Sequence, residues 1–549
     1  THKFHPPPRH MFLVDELKNV TTSTVFLFLL LLPPPMKASS PSRDQNSLEL
    51  ETMITRACSG LADPNSCIAV IQSEIRKMAL PRDHLSVIHA ALQATLDEAR
   101  RAAQMMSSID FPLSENPRQD MAIGDCKELV DFSVSEIAWS MSEMRRIRAG
   151  LQTPHSDSNL RAWLSAALGN QDTCLEGFDG TDRRVETLIR GGLRQVTQLV
   201  TNVLVMYTES HSLPFKPAKN DTAKWIWEGD PELLHASPGK MNVDAVVAAD
   251  GSGQYRTITE AVSLSPNQSQ RRYVIYVKKG VYNENIDLKR KKTNIMMVGD
   301  GIGQTVVSGD RSFNQGWTTF RTATVAVSGN GFIARDMTFR NTAGPENFQA
   351  VALRVDSDQS AFFRCSMEGY QDTLYSHSLR QFFRECEITG TVDFLFGNSA
   401  AVLQNCNLVP RKPLPLQKVT VTAQGRKDQH QSTGFVIQGS RVSAAVPTYL
   451  GRPWKKFSRT VFIDTYMSGM VLPRGWVAWY GGFALNTLYY GEYQNYGPGA
   501  SLTGRVSWPG YHVIREATEA AFFSVRHFID GMSWLPSTGI RFSAGFGGR

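Results

Sequence analysis

The sequence predicts two domains of different class: an antiparallel bundle of four α-helices, followed by a parallel β-helix. At 549 residues, with 42% hydrophobic and 20% charged residues, the chain is folded and too long for one ordinary core. Apolar residues recur at helical spacing up to residue 207, and short β-rich runs broken by Gly, Asn and Asp take over from residue 241. Some of these runs repeat every 20 residues, which is typical of a solenoid.

The strongest apolar run, VFLFLLLL at 25–32, is shorter than the roughly 20 residues that a membrane-spanning helix needs. We therefore expect residues 1–40 to contain a signal peptide, or alternatively a short anchor, and we expect no stable membrane span. Export would suit disulfide formation by the seven cysteines and glycosylation at Asn19, Asn220 and Asn267.

Residues 50–207 contain four segments with the pattern of amphipathic helices, and the short connections between them predict an antiparallel bundle. These segments contain no cluster of acids, bases or metal ligands, so a structural or protein-binding role is predicted. Residues 208–240 contain prolines and lack periodicity, and they form the expected linker. The helical stripe is clearest in 83–106, at Leu85, Ile88, Leu92 and Leu96.

The charge is unevenly distributed, with a balance of +11 from residue 241 onward and −4 before it. A basic C-terminal part suits a polyanionic partner such as a nucleic acid, an acidic polysaccharide or a membrane surface. A mildly basic solvated surface is the alternative.

The repeat is visible in three runs, AFFRCSMEG from 361, QFFRECEITG from 381 and AVLQNCNLVP from 401, which puts Phe363, Phe383 and Leu403 in phase. Successive turns of a β-helix lie about 4.8 Å apart, so residues one period apart become neighbours. Cys386 and Cys406 should then lie on adjacent turns, within reach of a disulfide.

Asp372 and Asp393 are about one turn apart and should be close neighbours. Two adjacent carboxylates resist ionising together, so the pair can supply an acid and a base or nucleophile at one pH. Gln349 and Gln371 can reach the same face and donate hydrogen bonds to an oxyanion. This spacing fits ester hydrolysis and retaining glycoside hydrolysis equally well, and carboxylates that cap backbone amides in turns are a third alternative.

Arg452 and Trp454, within YLGRPWKKFSRTVF, are expected on one face of an extended strand. A guanidinium beside a flat aromatic ring suits an acidic sugar, and a surface cation–π pair is the alternative. The chain has no CxxC pair and no HExxH motif, and its segment 299–305 lacks the Lys-Ser/Thr of a phosphate loop. Zinc and nucleotide sites are therefore not expected.

Five separated motifs stand in order along the C-terminal part of the chain: GVYNENI (280–286), QAVALRV (349–355), GYQDTLY (369–375), VDFLFGN (392–398) and LGRPW (450–454). Together they resemble the signature segments of plant pectin methylesterases. The resemblance covers about 241–545, and the helical half is similar to the pectin methylesterase inhibitor domain that precedes the enzyme in many members.

This resemblance implies a right-handed parallel β-helix that hydrolyses galacturonate methyl esters in pectin. Asp393 is implied as the nucleophile, and Asp372 as the proton donor to methanol and then the base that activates water. Gln349 and Gln371 are implied to stabilise the oxyanion. The implied substrate-binding residues are Thr319, Gln349, Arg452 and Trp454, with Tyr375 as a further cleft aromatic.

The resemblance also implies disulfides Cys58–Cys67, Cys126–Cys174 and Cys386–Cys406, and it leaves Cys365 as a buried thiol. It implies no metal and no organic cofactor. The implied partners are pectin and an inhibitor domain, intramolecular or separate, with no nucleic acid. The implied location is secreted, in the plant cell wall.

One stretch departs from the family pattern. Members with the inhibitor-like domain often carry an Arg-Arg-Leu-Leu-type processing site before the enzyme, whereas KWIWEGDPELLHAS (224–237) has acids there. We therefore expect the helical domain to stay attached, or to be removed by a different protease. A β-helix glycosidase or lyase that depolymerises pectin, and a catalytically silent wall-binding or inhibitory protein, are the alternative functions.

Overall fold

The structure is a computed structural model that describes residues 43–81, 83–108, 116–211, 226–227 and 241–546. The expected signal region, most of the linker and two of the three sequons lie outside these residues. The remaining sequon residue, Asn267, is exposed. No helix in the described ranges is both long and apolar enough to cross a membrane.

Four long helices, α3 to α6, form the predicted bundle, with two shorter helices before them. Asp63, Asn116 and Asp182 each accept a hydrogen bond from a backbone N–H in the first turn of α2, α4 and α6, which caps those helices. The disulfides Cys58–Cys67 and Cys126–Cys174 are both present, the second joining α4 to α5. The helices are α1 (Arg43–Ala57), α2 (Pro64–Lys77), α3 (His84–Ser108), α4 (Pro117–Arg148), α5 (Ser156–Glu176) and α6 (Arg183–Ser210).

Three long parallel sheets follow, and they fit the predicted right-handed parallel β-helix. The eleven-stranded sheet contains β2 (Ala245–Val247), β3 (Tyr273–Val277), β6 (Ile295–Val298), β9 (Ile333–Arg335), β12 (Ser360–Phe363), β15 (Arg380–Arg384), β18 (Ala400–Gln404), β21 (Gly434–Gln438), β24 (Arg459–Ile463), β26 (Tyr489–Tyr493) and β27 (Tyr511–Val513). The eight-stranded sheet contains β4 (Gly280–Asn283), β7 (Thr305–Gly309), β10 (Thr338–Asn341), β13 (Ser366–Glu368), β16 (Glu387–Gly390), β19 (Asn407–Pro410), β22 (Arg441–Val442) and β25 (Tyr466–Met467). The seven-stranded sheet contains β5 (Ile286–Leu288), β8 (Val325–Val327), β11 (Leu353–Val355), β14 (Leu374–Ser376), β17 (Leu395–Gly397), β20 (Val419–Gln424) and β23 (Thr448–Gly451).

Short helices complete the β-helical part. A two-stranded antiparallel sheet pairs β1 (Ile226–Trp227), from the linker, with β28 (Phe542–Ser543), near the C-terminus. The α-helices are α7 (Ile258–Leu264), α8 (Ala517–Ala521), α9 (Val525–Phe528) and α10 (Gly531–Trp534), and the 3₁₀ helices are Phe313–Gln315, Thr319–Arg321, Pro345–Asn347 and Leu535–Thr538.

Strand pairing confirms the stacking of successive turns, with one correction. Phe383 on β15 pairs with Leu403 on β18, as the 20-residue period predicts. The expectation that Phe363 shares this phase is wrong, because Phe362 is the partner of Phe383. The preceding turn is therefore one residue longer than the period in the sequence.

Cys365, Cys386 and Cys406 precede three paired strands, so they stack on successive turns, but all three are free and buried thiols. The predicted Cys386–Cys406 disulfide is therefore wrong in the structure. Equivalent side chains of parallel turns point the same way at about 4.8 Å, whereas a disulfide needs Cβ atoms about 3.8 Å apart. The Cys386 and Cys406 thiols donate instead to the carbonyl oxygens of Phe362 and Phe383, at 3.4 and 3.5 Å.

The seven-stranded sheet has two apolar faces, because side chains alternate along each strand. Leu374 and Leu395 point into the β-helix core. Tyr375 and Phe396, one residue further on, belong to the same hydrophobic cluster as the bundle helices. The bundle thus packs on the outer face of this sheet.

Candidate active site

Asp372 and Asp393 lie on adjacent turns, each two residues before a strand of the seven-stranded sheet. Leu374 on β14 pairs with Leu395 on β17, and the Asp372 N–H donates to the carbonyl oxygen of Val392 at 3.1 Å. Both aspartates have left-handed backbone conformations, with φ of 63° and 52°. Asp tolerates this conformation better than most residues, and such strain clusters at functional sites.

The Asp393 carboxylate is fixed by donors from two sides. Arg452 Nε lies 2.8 Å from Oδ1, and its second guanidinium nitrogen lies 2.6 Å from Oδ2. The Thr420 hydroxyl lies 2.6 Å from Oδ1 and also accepts a hydrogen bond from the Asp393 N–H at 2.8 Å. Thr420 was not predicted from the sequence, because a threonine within the strand run KVTVTAQ resembles any other strand residue.

Among the described residues, Asp372 has no comparable set of donors. Burial raises the pKa of its carboxyl well above the usual value, the charge of Asp393 raises it further, and Arg452 opposes the shift. Asp372 is 7% exposed and Asp393 4% exposed. The pair therefore combines a carboxyl group whose pKa is raised with a second carboxyl group that Arg452 and Thr420 hold in one orientation.

Gln349 and Gln371 lie beside this pair on successive turns, since the Ala350 N–H donates to the Gln371 carbonyl oxygen at 3.2 Å. Both glutamines are half-buried. Within the part of the chain that the structure describes, neither side-chain amide is engaged in a hydrogen bond, so both amides can donate to an incoming group.

Arg452 and Trp454 do not share a strand face as expected, because β23 ends at Gly451 and both residues follow it. Arg452 pairs with Asp393 and lies 4.2 Å from the ring centroid of Trp479. The Trp454 ring lies so close to Gly425 that a Cβ there would be 2.8 Å from it. Arg452 therefore orients the carboxylate, while Trp454 forms part of the cleft wall.

Tyr375 lies on the outer face of the seven-stranded sheet, where it stacks on Phe396 with ring centroids 4.1 Å apart, and burial raises its pKa well above the usual value. Thr319 begins a 3₁₀ helix whose next residue, Phe320, belongs to the same hydrophobic cluster and has its ring centroid 5.7 Å from that of His377. Tyr375 thus borders the approach from the bundle side, together with His377 and Trp454.

Helix α5 of the bundle covers this approach. The Thr173 hydroxyl lies 2.9 Å from His377 Nε2, and Glu176 forms an ion pair with Lys455, beside Trp454. The space left between α5 and the cleft wall is about 20 Å³, which is room for roughly one water molecule. A sugar does not fit into this space, which Tyr375, His377 and Trp454 line on the β-helix side.

An acid, an oriented carboxylate and two donor amides are the groups that nucleophilic acyl transfer requires. Among the described residues, no group of three or more His, Cys, Asp or Glu side chains is arranged to hold a metal ion.

Comparison with known proteins identifies both halves of the chain. Residues 244–532 match the family model described as pectinesterase, and residues 52–206 match plant invertase/pectin methylesterase inhibitor. A putative pectinesterase/pectinesterase inhibitor of Arabidopsis thaliana is 55% identical over 96% of this chain and 99% of its own length. A pectinesterase/pectinesterase inhibitor of Prunus persica is 50% identical over 83% and 89%.

Among solved structures, a pectin methylesterase from carrot is 54% identical, with a TM-score of 0.55, and the match covers 56% of this chain and 99% of that one. The carrot enzyme thus corresponds to little more than half of this chain. The chain therefore belongs to the pectinesterase family, with a domain of the plant invertase/pectin methylesterase inhibitor family ahead of its β-helix.

Proposed function

We propose that residues 241–545 demethylesterify pectin through Asp393 as the nucleophile and Asp372 as the acid and base, and that residues 50–207 cover the cleft in the intact chain. Membership of the pectinesterase family makes the chain a carboxylic ester hydrolase that acts on pectin. The oriented carboxylate beside a protonated acid carries the assignment of roles. The family also favours ester hydrolysis over glycoside hydrolysis, which carboxylate spacing does not separate.

In the first half-reaction, an oxygen of Asp393 attacks the ester carbonyl carbon of a galacturonate unit. The amides of Gln349 and Gln371 stabilise the resulting oxyanion. The C–O bond to the methoxy group breaks, and Asp372 gives its proton to that group, which leaves as methanol. The product is an acyl-enzyme anhydride on Asp393.

In the second half-reaction, Asp372 is a carboxylate and takes a proton from water. The hydroxide attacks the anhydride at the sugar carbonyl, which releases the free galacturonate and restores the Asp393 carboxylate. Arg452 and Thr420 hold Asp393 in the attacking orientation throughout.

Asp393→Asn tests the nucleophile. Asn keeps the shape of the side chain and can still accept from Thr420, but it cannot form the anhydride, so methanol release from esterified pectin should fall by at least about 10³-fold. Asp250→Asn, at an exposed aspartate, is the matched control and should keep the parent activity. A rate within about tenfold of the parent, from a variant with unchanged circular dichroism, would refute the role of Asp393.

The cover is supported by the contacts of α5 with His377 and Lys455 and by the small space that remains beside Trp454. Residues 241–549 alone should release methanol at least about tenfold faster than the full chain at equal concentration. As a second variant, Glu176→Lys in the full chain opposes Lys455 and should also raise the rate. Equal rates in all three proteins would argue against a covered cleft.

Family members act on pectin of the plant cell wall, and we extend this to the location of the chain, as a secreted wall protein. Fractionation of plant tissue into wall and intracellular protein, followed by detection of the chain, tests this location.

A further inference from the structure

The Lys and Arg ion pairs between the bundle and the β-helix have the acid on the bundle and the cation on the β-helix. Five carboxylates on α4 and α5 meet five cations on the β-helix. The same direction holds for every described ion pair of Lys or Arg across this contact, while His155, the residue before α5, meets Asp530 in the opposite direction. We call the carboxylates the acidic helix face: Asp125, Glu128, Glu136, Asp172 and Glu176. We call the cations the basic strip: Lys289, Arg290, Arg321, Lys427 and Lys455.

The pairs are close and partly buried. Glu128 lies 2.8 Å from Lys289 and 2.5 Å from Arg321, and Glu136 lies 2.8 Å from Arg290. The remaining pairs are Arg321 with Asp125, Lys427 with Asp172 and Lys455 with Glu176.

The β-helix itself provides little countercharge for the basic strip. Asp287, which lies 2.7 Å from Lys289 and 3.6 Å from Arg321, is the one β-helix carboxylate paired with the strip among the described residues. Arg290 instead packs on the bundle ring of Phe132, at 3.8 Å from its centroid. Release of the bundle would therefore leave a strongly cationic surface.

The basic strip extends along the cleft on both sides of the aspartate pair. Lys289 and Arg290 follow β5 and Arg321 precedes β8, whereas Lys427 and Lys455 follow β20 and β23. The strands that follow the aspartate pair, β14 and β17, lie between these two groups in the sheet. From β5 to β23 there are six strand spacings, or about 29 Å.

The reaction product is a polyanion, so its charge is complementary to that of the basic strip. Esterified pectin is neutral at each methylated unit, and hydrolysis leaves one carboxylate on each such sugar. A demethylesterified stretch is therefore an extended chain of regularly spaced carboxylates, and guanidinium and ammonium groups along a groove bind such an anion.

We propose that the acidic helix face occupies the places of product carboxylates, and that demethylesterified galacturonan competes for the basic strip and opens the cleft. This inference rests on the proposed function, since it takes the product of that reaction as the ligand. Breaking a buried ion pair is costly when one charge is left alone, and a polyanion removes that cost by pairing with the cations as the helices leave. The product of the reaction would then displace the bundle from the cleft.

The test follows hydrogen exchange of α5 in the full chain, with and without polygalacturonate. Polygalacturonate carries no ester, so opening is measured without turnover. Exchange within 156–176 should become at least about fivefold faster. Unchanged exchange, or the same acceleration by NaCl at equal ionic strength, would overturn the proposal.

Charge-swap variants test whether the basic strip is responsible for the response of α5 to polygalacturonate. Asp172→Lys with Lys427→Glu keeps an ion pair but reverses its direction, so the bundle should stay closed without ligand and the response to polygalacturonate should shrink. Lys279→Glu, an exposed lysine between the eleven- and eight-stranded sheets, is the matched control and should respond as the parent does. Equal responses in all three proteins would refute the role of the basic strip.

The proposed catalytic roles and the proposed competition can be refuted independently of each other. If the chain opens with polygalacturonate but neither the full chain nor residues 241–549 release methanol, the proposed competition is supported and the catalytic roles are refuted. If the chain releases methanol but polygalacturonate does not change the rate of hydrogen exchange in α5, the catalytic roles are supported and the proposed competition is refuted.

Discussion

Asp393 is oriented by residues that are distant in the sequence. Thr420 and Arg452 lie 27 and 59 positions after it, and both donate to its carboxylate. Asp372 has the opposite environment, in which burial raises the pKa of the carboxyl group. Two identical side chains thus acquire different chemistry from their neighbours alone.

Thr420→Val tests the second donor to Asp393. Valine has nearly the shape of threonine but no hydroxyl, and loss of one hydrogen bond to a charged group costs about 1.5–3 kcal/mol. We expect kcat to fall by about tenfold or more with little change in KM, because the carboxylate is oriented less well while the sugar contacts remain.

Thr420→Ser should restore most of the rate, since it returns the hydroxyl. The comparison uses kcat and KM on esterified pectin in residues 241–549, so that the bundle does not interfere. A Val variant with unchanged kcat, or a Ser variant as slow as Val, would contradict a positioning role.

The sequence predicted the aspartate pair and the two glutamines, but not all of what surrounds them. Arg452 was expected to contact the sugar, and the structure pairs it with Asp393. Sequence pattern gives the type of a side chain and its phase in the repeat. It does not give the partner, because the partner depends on which loops meet at the end of a sheet.

At the scale of elements, the regular stacking of turns brings the site together. Each turn adds one strand to the seven-stranded sheet, and the aspartates occupy the same position on two consecutive turns. A period in the sequence is enough to predict this arrangement, because strand spacing is nearly constant. The thiols of Cys386 and Cys406 follow the same rule, which places them side by side without a bond.

Gly397→Ala tests how tightly the turns are packed. Gly397, at the end of β17, has φ of 126°, and a Cβ there would be 2.0 Å from the Ser376 carbonyl oxygen on the neighbouring strand. We expect a loss of about 2–4 kcal/mol in the free energy of unfolding, measured by denaturant titration.

Gly482→Ala is the matched control, because a Cβ at that position has no atom within 4 Å. It should change stability by less than about 0.5 kcal/mol. If both variants unfolded at the parent's denaturant concentration, the close contact between β14 and β17 would not limit stability.

At the scale of the whole molecule, the bundle and the cleft form one hydrophobic cluster around Tyr375 and Phe396. The sequence indicated the helices but not where they pack. An amphipathic stripe specifies an apolar face, and several apolar faces of a β-helix can receive it. The shared direction of the Lys and Arg ion pairs, with the acid on the bundle, became visible only when both surfaces were in contact.

The cover should loosen as the pH rises. Burial raises the pKa of Glu136 to about 7, with Arg290 opposing, and burial raises the pKa of Glu176 to about 7, with Lys455 opposing. An exposed Glu loses its proton near pH 4.3, so between about pH 4.3 and 7 the closed form binds more protons than the open form. Closure is therefore most favourable below this range and weakens through it.

We expect hydrogen exchange of α5 to become faster from pH 5 to pH 8, after correction for the intrinsic pH dependence of exchange. Burial acts to raise the pKa of Glu128, but Arg321 and Lys289 together outweigh it and lower the pKa to about 2, so Glu128 should not contribute to the change. The double variant Glu136→Gln and Glu176→Gln should have a shallower dependence. A parent chain whose corrected exchange stays flat would contradict these titrations.

The two-stranded sheet of β1 and β28 affects how the bundle can be released from the cleft. Because Ile226–Trp227 is paired with Phe542–Ser543, the connecting chain is anchored to the enzyme at a point between the two domains. The bundle is thus a tethered ligand with a high effective concentration at the cleft. A cut between the bundle and this anchor would turn closure into a bimolecular association, so that dilution, without any change at the cleft itself, would open the cleft.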